Sequence, residues 1–228
     1  MSDTVLVTGA NRGIGLEIVR ELLERGHRAI AACRDPDAAT ALAALGGDER
    51  LEVHALDVAD GDSVAALAHT LSGRTVDALV NNAGRMRRES SVAEVDHDDW
   101  ASSFAVNAQG PLRVAVALRA HLAASSNPRV LTVTSQLGSL ERAGPGNVSY
   151  RASKAAANMA MRTLAAEWRE DGIVVCTVHP GWVRTDMGGS EADLAPRRSA
   201  ADLVALLERL TIEDTGRFLD HDGGDMPW

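Results

Sequence analysis

Thr4-Val5-Leu6-Val7-Thr8-Gly9-Ala10-Asn11-Arg12-Gly13-Ile14-Gly15 is the stretch that decides how this chain folds. Thr4–Thr8 is a short β-branched and apolar run that stops at a glycine. From Gly13 to Arg25 the apolar residues recur at helical spacing, and Gly26 ends that pattern. A strand, a glycine-rich turn and a helix in immediate succession form the first half of a βαβ unit. Glycines at such a turn let backbone N–H groups and the helix N-terminus approach a pyrophosphate closely. Gly9, Asn11, Arg12, Gly13, Ile14 and Gly15 are therefore candidate dinucleotide-binding residues.

The same alternation continues along the chain. Strands are expected at Arg28–Cys33, Leu51–Leu56, Asp77–Asn81, Arg129–Ser135, Ile173–Val178 and Gly216–Leu219. Helices are expected at Asp37–Leu45, Ser63–Leu71, Asp98–Ala124, Val148–Glu170 and Ser199–Leu210. Strands that read as continuous apolar runs are buried on both faces, which predicts a parallel sheet covered by helices. The expected fold is α/β, a Rossmann-type doubly wound sheet of about seven strands in a single domain over 1–228. Three irregular segments, Gly84–Asp96, Gln136–Asn147 and Gly181–Arg198, follow strand C-termini, where open α/β sheets bind ligands.

The net charge of −9 argues against a nucleic-acid surface or an anionic membrane as partner. No apolar run approaches the roughly 18 residues of a membrane span, and the N-terminus carries no secretory pattern. Cys33 and Cys176 are read as free thiols, which fits a reducing cytoplasmic setting. The histidines show no ligand spacing, so no metal site is expected. Asp96-His97-Asp98-Asp99 is read as a helix cap, and Asp220–Asp225 as a turn after the last strand.

Of 23 lysines and arginines, Lys154 is the only lysine, and Tyr150 is the only tyrosine. On a helix the two lie on one face, about 5–6 Å apart at Cβ. Arginine cannot release its proton, whereas the pKa of a lysine ammonium can be moved. The expected chemistry is a phenol made acidic by a neighbouring cation, so that Tyr150 exchanges protons near neutral pH. Ser135, at the end of the fifth strand, is a candidate donor to the same substrate oxygen. Pro111 has no N–H and cannot satisfy the carbonyl of Asn107 four residues earlier, so the helix is expected to kink there.

The end of the second strand, Cys33, is followed by Arg34 rather than by the acid of an NAD site. Arg12 and Arg34 together favour NADP(H) over NAD(H), because two guanidiniums can clamp a 2′-phosphate. Asp35 is the complication, since its carboxylate could turn toward the ribose. Asp57 and Val58 are placed to meet an adenine, although Asp57 could equally cap the next helix. At Asn81-Asn82-Ala83-Gly84, small residues admit a ribose while the asparagines pin neighbouring strands; Asn81, Ala83 and Gly84 are cofactor candidates.

The glycine turn, Asn81–Gly84, Ser135 and Tyr150–Lys154 occur in the order of the short-chain dehydrogenase/reductase family, which the chain resembles from Thr4 to its C-terminus. Cys33-Arg34-Asp35-Pro36, His179–Gly188 and the closing Asp222-Gly223…Pro227-Trp228 look like the C-factor/sniffer-type carbonyl reductases. The resemblance implies a catalytic set of Asn107, Ser135, Tyr150 and Lys154, with a water near Asn107 relaying protons to Lys154. It also implies that Pro180, Gly181, Val183 and Thr185 meet the nicotinamide half. Met86, Gln136, Leu137, Trp182 and Met187 would line a pocket for a small hydrophobic carbonyl or alcohol. The Ser135–Tyr150 separation is longer than usual for the family and the segment after Met187 shorter, which implies a reshaped and open pocket. A homodimer or homotetramer through small-residue faces at Ala115, Ala117, Ala155, Ala156 and Ala157 is a further expectation. The expected function is NADPH-dependent hydride transfer to an aldehyde or ketone. The alternative is a dinucleotide-binding sensor or signalling protein whose role does not need turnover.

Overall fold

The computed structural model describes residues 2–228. Seven strands form one sheet, β1 (Thr4–Thr8), β2 (Arg28–Cys33), β3 (Leu51–Ala55), β4 (Ala78–Asn81), β5 (Arg129–Val133), β6 (Val174–His179) and β7 (Phe218–Asp220). Their order is β3-β2-β1-β4-β5-β6-β7 and every pairing is parallel. The order reverses between β1 and β4, and the crevice above that switch point is where such sheets take their ligand.

Both faces are covered, as the unbroken apolar strands require. Helices α1 (Gly13–Glu24) and α8 (Pro196–Arg209) pack Ile18, Val19, Leu22, Leu203 and Leu207 against Val5, Val7 and Ala31 on one face. On the other face α3 (Gly61–Thr70), α5 (Gly110–Ala117) and α7 (Val148–Trp168) bury Leu67, Val114, Met161 and Leu164 against Leu6, Ile30 and Leu79. A short helix α2 (Thr40–Ala43) replaces the expected Asp37–Leu45 helix. Residues beyond it turn instead, and Gly46 and Gly47 lie there in place of further helix formers.

The expected helix Asp98–Ala124 is four consecutive segments, with a widened turn between the first two helices and a break at Leu118 before the last. These are α4 (His97–Phe104), a π-turn at Ala105–Gln109, α5, and α6 (Arg119–Ala123). Gly110 N–H reaches back five residues to the Ala105 carbonyl. Pro111 thereby falls in the first turn of α5, where a missing N–H costs least. The proline reorganises the helix around Asn107 instead of kinking it.

Asp96 caps α4 by accepting from the N–H groups of Asp98 and Asp99 at 2.9 and 3.1 Å, as expected. The turn after β7 closes through Asp220 N–H to Gly224 O at 2.7 Å and Gly223 N–H to Asp220 O at 2.9 Å. No helix is long and apolar enough to cross a membrane, and no group of three or more candidate metal ligands occurs among the described residues. Ala115 and Ala157 are fully buried within the chain, while Ala117, Ala155 and Ala156 are half-buried, and Val116 and Met159 are exposed beside them.

Candidate active site

The glycine turn fits the backbone of a dinucleotide. Gly9 has φ +64°, and a Cβ on it would meet Ala83 Cα at 2.8 Å; a Cβ on Gly15 would collide with Asn82 Nδ2 and the Gly9 carbonyl. Asn82 holds the turn by donating to the carbonyls of Thr8 and Gly9 at 2.9 and 3.1 Å. Thr8 Oγ1 accepts from the N–H groups of Asn82 and Ala83, both at 3.0 Å. The α1 N-terminus has no side-chain cap and no acid in its first turn, in contrast to α3 and α4, which Asp60 and Asp96 cap. Uncapped N–H groups at the positive end of a helix suit an anion.

Arg34 is exposed at the end of β2. Asp35 accepts from Ala38 N–H at 3.1 Å, so its carboxylate is engaged in its own turn. Arg12 pairs with Asp186 at 2.6 Å, bridging the glycine turn to the segment after β6. Asp57 accepts from Ala59 N–H at 2.9 Å, while Asp60, not Asp57, caps α3. Val58 is buried beneath Gly110. Asn81 turns inward to the Pro111 carbonyl at 3.2 Å and Thr132 Oγ1 at 3.3 Å, so it braces β4 rather than facing the crevice.

At the other end of the crevice, the four residues of the expected catalytic set come together. Tyr150 and Lys154 lie in the first two turns of α7, both buried. The ammonium is 5.8 Å from the phenol ring centroid and donates to the Val133 carbonyl at 2.8 Å. Ser135 Oγ accepts from Leu137 N–H at 3.1 Å, which leaves its own proton free to be donated, and the hydroxyl acts on the Tyr150 phenol in the direction of greater acidity. Asn107 is fully buried; its amide donates to Arg85 O at 2.8 Å and Ser153 Oγ at 2.9 Å, and its oxygen accepts from Arg85 N–H at 2.8 Å. A Cβ on Gly84 would lie 3.5 Å from Asn107 Oδ1 and 3.6 Å from Lys154 Nζ, so the end of β4 sits between them.

Burial dominates the acidity of both reacting groups. It pushes the Tyr150 phenol up to about 12, opposed by the Ser135 hydrogen bond. It pulls the Lys154 ammonium down to about 8. Burial thus opposes the charged form of each, a contribution that the expectation of a phenol made acidic by neighbouring positive charge leaves out.

The irregular segments are tied to one another and braced internally, the first to the second by Asn147 N–H to Glu89 O at 2.8 Å. Arg88 donates to Met187 O at 3.0 Å, Arg142 to Gln136 Oε1 at 3.1 Å, and Trp182 Nε1 to Gly188 O at 3.0 Å. Leu137 and Met86 are half-buried at the rim. Gly138 packs against α7, where a Cβ would come within 2.9 Å of Lys154 Cβ. Thr185 and Gly13 are adjacent across the crevice, with Thr185 Cγ2 3.4 Å from where a Gly13 Cβ would be. Val183 is buried in a bridge to Leu194, and Pro180 and Gly181 directly follow β6.

Of the two asparagines read as pins between strands, Asn82 holds the glycine turn and Asn81 braces β4. Two residues here escaped the sequence reading. Ser153 accepts from Asn107 and donates to the Tyr150 carbonyl at 2.8 Å, tying two catalytic candidates together. The only sequence signal for Ser153 is its place within Tyr150–Lys154. His179 is buried, and its Nδ1 lacks a hydrogen-bond partner among the described residues.

Burial pulls His179 down to about 4, with Asp220 opposing and His221 and Arg142 assisting. Its folded value lies below the unfolded value near 6.5, so the unfolded chain binds the extra proton between those limits. Stability should therefore fall as pH drops through that window. Urea unfolding at stepped pH should show this slope, and His179→Gln should flatten it.

Comparisons with known proteins agree with the geometry. The family described as short chain dehydrogenase matches residues 3–194. C-signal of Myxococcus xanthus is 41% identical over 164 residues, covering 72% of this chain and 99% of that protein. A Rhodococcus 1-hydroxy-2-glutathionyl-2-methyl-3-butene dehydrogenase is 38% identical over 233 residues, 99% of this chain and 100% of that one. The structure of NADPH-bound carbonyl reductase from chicken fatty liver is 33% identical, covers 100% of this chain and 99% of that chain, and has a TM-score of 0.94. The parallel sheet with its glycine turn, the buried tyrosine and lysine, and a match over most of the length together make this chain an oxidoreductase of the short-chain dehydrogenase/reductase family.

Proposed function

We propose that the protein reduces an aldehyde or ketone with NADPH, reversibly, using Tyr150 as the acid. The observation that carries this reading is the buried Tyr150–Lys154 pair, with the ammonium 5.8 Å from the phenol ring and Ser135 buried in the same site. Bound in the crevice, a nicotinamide cofactor supplies the hydride and a positive ring in its oxidised form. Tyr150 gives its proton to the carbonyl oxygen, and Ser135 steadies the same oxygen. Lys154, shifted toward neutral pH, returns a proton toward the phenol, and Asn107 holds the end of β4 beside them. Met86, Gln136, Leu137, Trp182 and Met187 form the rim for a hydrophobic substrate.

Purified protein with NADPH and a panel of aryl ketones, diketones and aldehydes tests the reading. A glutathionylated alcohol with NADP⁺ belongs in the panel, given the name of the Rhodococcus relative. Cofactor consumption with at least one compound is expected. Tight NADPH binding without turnover of any would contradict the proposal.

NADP(H) over NAD(H) rests on Arg34 and Arg12. Arg12 is 68% and Asp186 83% exposed, and such a pair contributes less than about 1 kcal/mol, so a phosphate can displace Asp186. Hydrogen bonds to charged groups contribute about 1.5–3 kcal/mol. Arg34→Ala should therefore weaken NADPH binding roughly tenfold to hundredfold and leave NADH binding unchanged. Fluorescence titration with both cofactors measures the difference.

A signalling role is the second reading, favoured by the likeness to C-signal. It would prevail if Tyr150→Phe left the cellular role intact. The proposal extends to a homodimer or homotetramer, in which exposed Val116 and Met159 on α5 and α7 would be covered by a second copy.

A further inference from the structure

We propose that Glu89 is a positioning residue for Tyr150, fixing the first turn of α7 from a distant loop through its hydrogen bonds to Ser149. Glu89 is only 3% exposed, although it follows three arginines on an irregular segment. Those arginines are engaged elsewhere: Arg85 with Asp99, Arg87 with Asp96, and Arg88 with the Met187 carbonyl. The buried carboxylate instead takes the Ser149 N–H at 3.0 Å and the Ser149 hydroxyl at 2.5 Å. Its main chain joins the same end of the helix. Glu89 O accepts from Asn147 N–H at 2.8 Å, and Glu89 N–H donates to Asn147 Oδ1 at 3.4 Å.

The helix does not cap itself. Asn147 precedes it in the left-handed region with φ 53°, gives no side-chain cap, and no acid stands in the first turn. A buried anion normally requires compensation, and here the donors are the open N–H end of α7 and one hydroxyl. The carboxylate complements the positive end of the helix and satisfies a first-turn N–H that would otherwise be orphaned. Gly146 is fitted to this contact, since a Cβ there would come 2.9 Å from Glu89 O. Tyr150 is the residue after Ser149. Fixing Ser149 by both its N–H and its hydroxyl fixes the backbone from which the phenol projects.

The inference rests on Tyr150 being the acid. The result of misplacement is a loss in turnover: a displacement of about 1 Å in a catalytic group can cost about a hundredfold. Glu89→Ala should lower kcat by roughly ten- to hundredfold while NADPH affinity, set at the glycine turn, stays within about twofold of the parent. Glu89→Gln is the rescue. Its amide oxygen still accepts from Ser149 N–H, and its NH₂ can donate to the Ser149 hydroxyl, so kcat should stay near that of the parent. Ser149→Ala removes the 2.5 Å bond without touching the carboxylate and should lower kcat in the same direction.

Parent-like kcat in Glu89→Ala, or equal losses in Glu89→Ala and Glu89→Gln, would overturn the proposal. If Glu89→Ala fails to fold, Ser149→Ala decides, and an unchanged kcat there overturns it. If the parent turns over no substrate, the proposed reaction has failed separately. The positioning claim is then read from near-ultraviolet absorbance of the only tyrosine in the NADP⁺ complex. Its ionisation should move in Glu89→Ala and stay in place in Glu89→Gln; an ionisation unmoved in Glu89→Ala overturns the claim.

Discussion

Replacing Tyr150 with Phe is expected to lower kcat for NADPH-dependent carbonyl reduction by roughly a hundredfold to ten-thousandfold, the span that a positioned general acid contributes. NADPH affinity should change little, because the glycine turn that Asn82 pins lies at the other end of the crevice. The substitution removes one oxygen from a side chain that is already buried and packed, so the fold should tolerate it. Ser135, whose oxygen accepts from Leu137 N–H, can still donate its proton to a substrate oxygen, which leaves residual activity rather than none. Steady-state kinetics with cofactor binding measured in parallel checks this, and an undiminished kcat would remove the proposed acid.

Lys154→Met should do two opposite things at once. Turnover should fall by at least the factor seen for Tyr150→Phe, since both the cation beside the phenol and the proton source are lost. Stability should rise. Burial holds the ammonium down to about 8, against about 10.5 in the unfolded chain, so at neutral pH the folded state carries a charge it disfavours. The shift corresponds to about 3 kcal/mol, and the lost bond to the Val133 carbonyl offsets part of it. A net gain on the order of 1–3 kcal/mol in urea unfolding at neutral pH is expected. The sign also fixes the pH dependence. Between those two values the unfolded chain binds more protons at Lys154, so this residue makes stability rise with pH there. The gain of Lys154→Met over the parent should shrink across that window. A less stable Lys154→Met protein at neutral pH would contradict the account of the site as a place where stability is given up for chemistry.

Much of this was legible in the chain itself, for identifiable reasons. Thr4–Thr8 and Arg28–Cys33 read as strands to the residue because burial on both faces leaves unbroken apolar side chains at Val5–Val7 and Ala29–Cys33. Tyr150 and Lys154 stood out because each is the only one of its kind. The π-turn at Asn107 was half visible: Pro111 announced a disturbance, but whether a helix kinks or widens depends on packing over Val58 and Gly110. Glu89 was hidden in a polar loop, because its partner Ser149 lies sixty residues away and no periodicity links the two. The acidity of Tyr150 was read from the positive charges beside it, the Lys154 ammonium and the nicotinamide ring. Burial, which only a fold supplies, sets the direction instead.

The central claim is that the buried phenol becomes acidic only when the oxidised nicotinamide ring adds its charge to that of Lys154. Because Tyr150 is the only tyrosine, tyrosinate absorbance titrated against pH reports on it alone. Without cofactor, ionisation should begin only near the high value of about 12 that burial sets. With saturating NADP⁺ it should fall below the value of about 10 for a free phenol. A midpoint that stays at or above that free value in the complex would contradict the account.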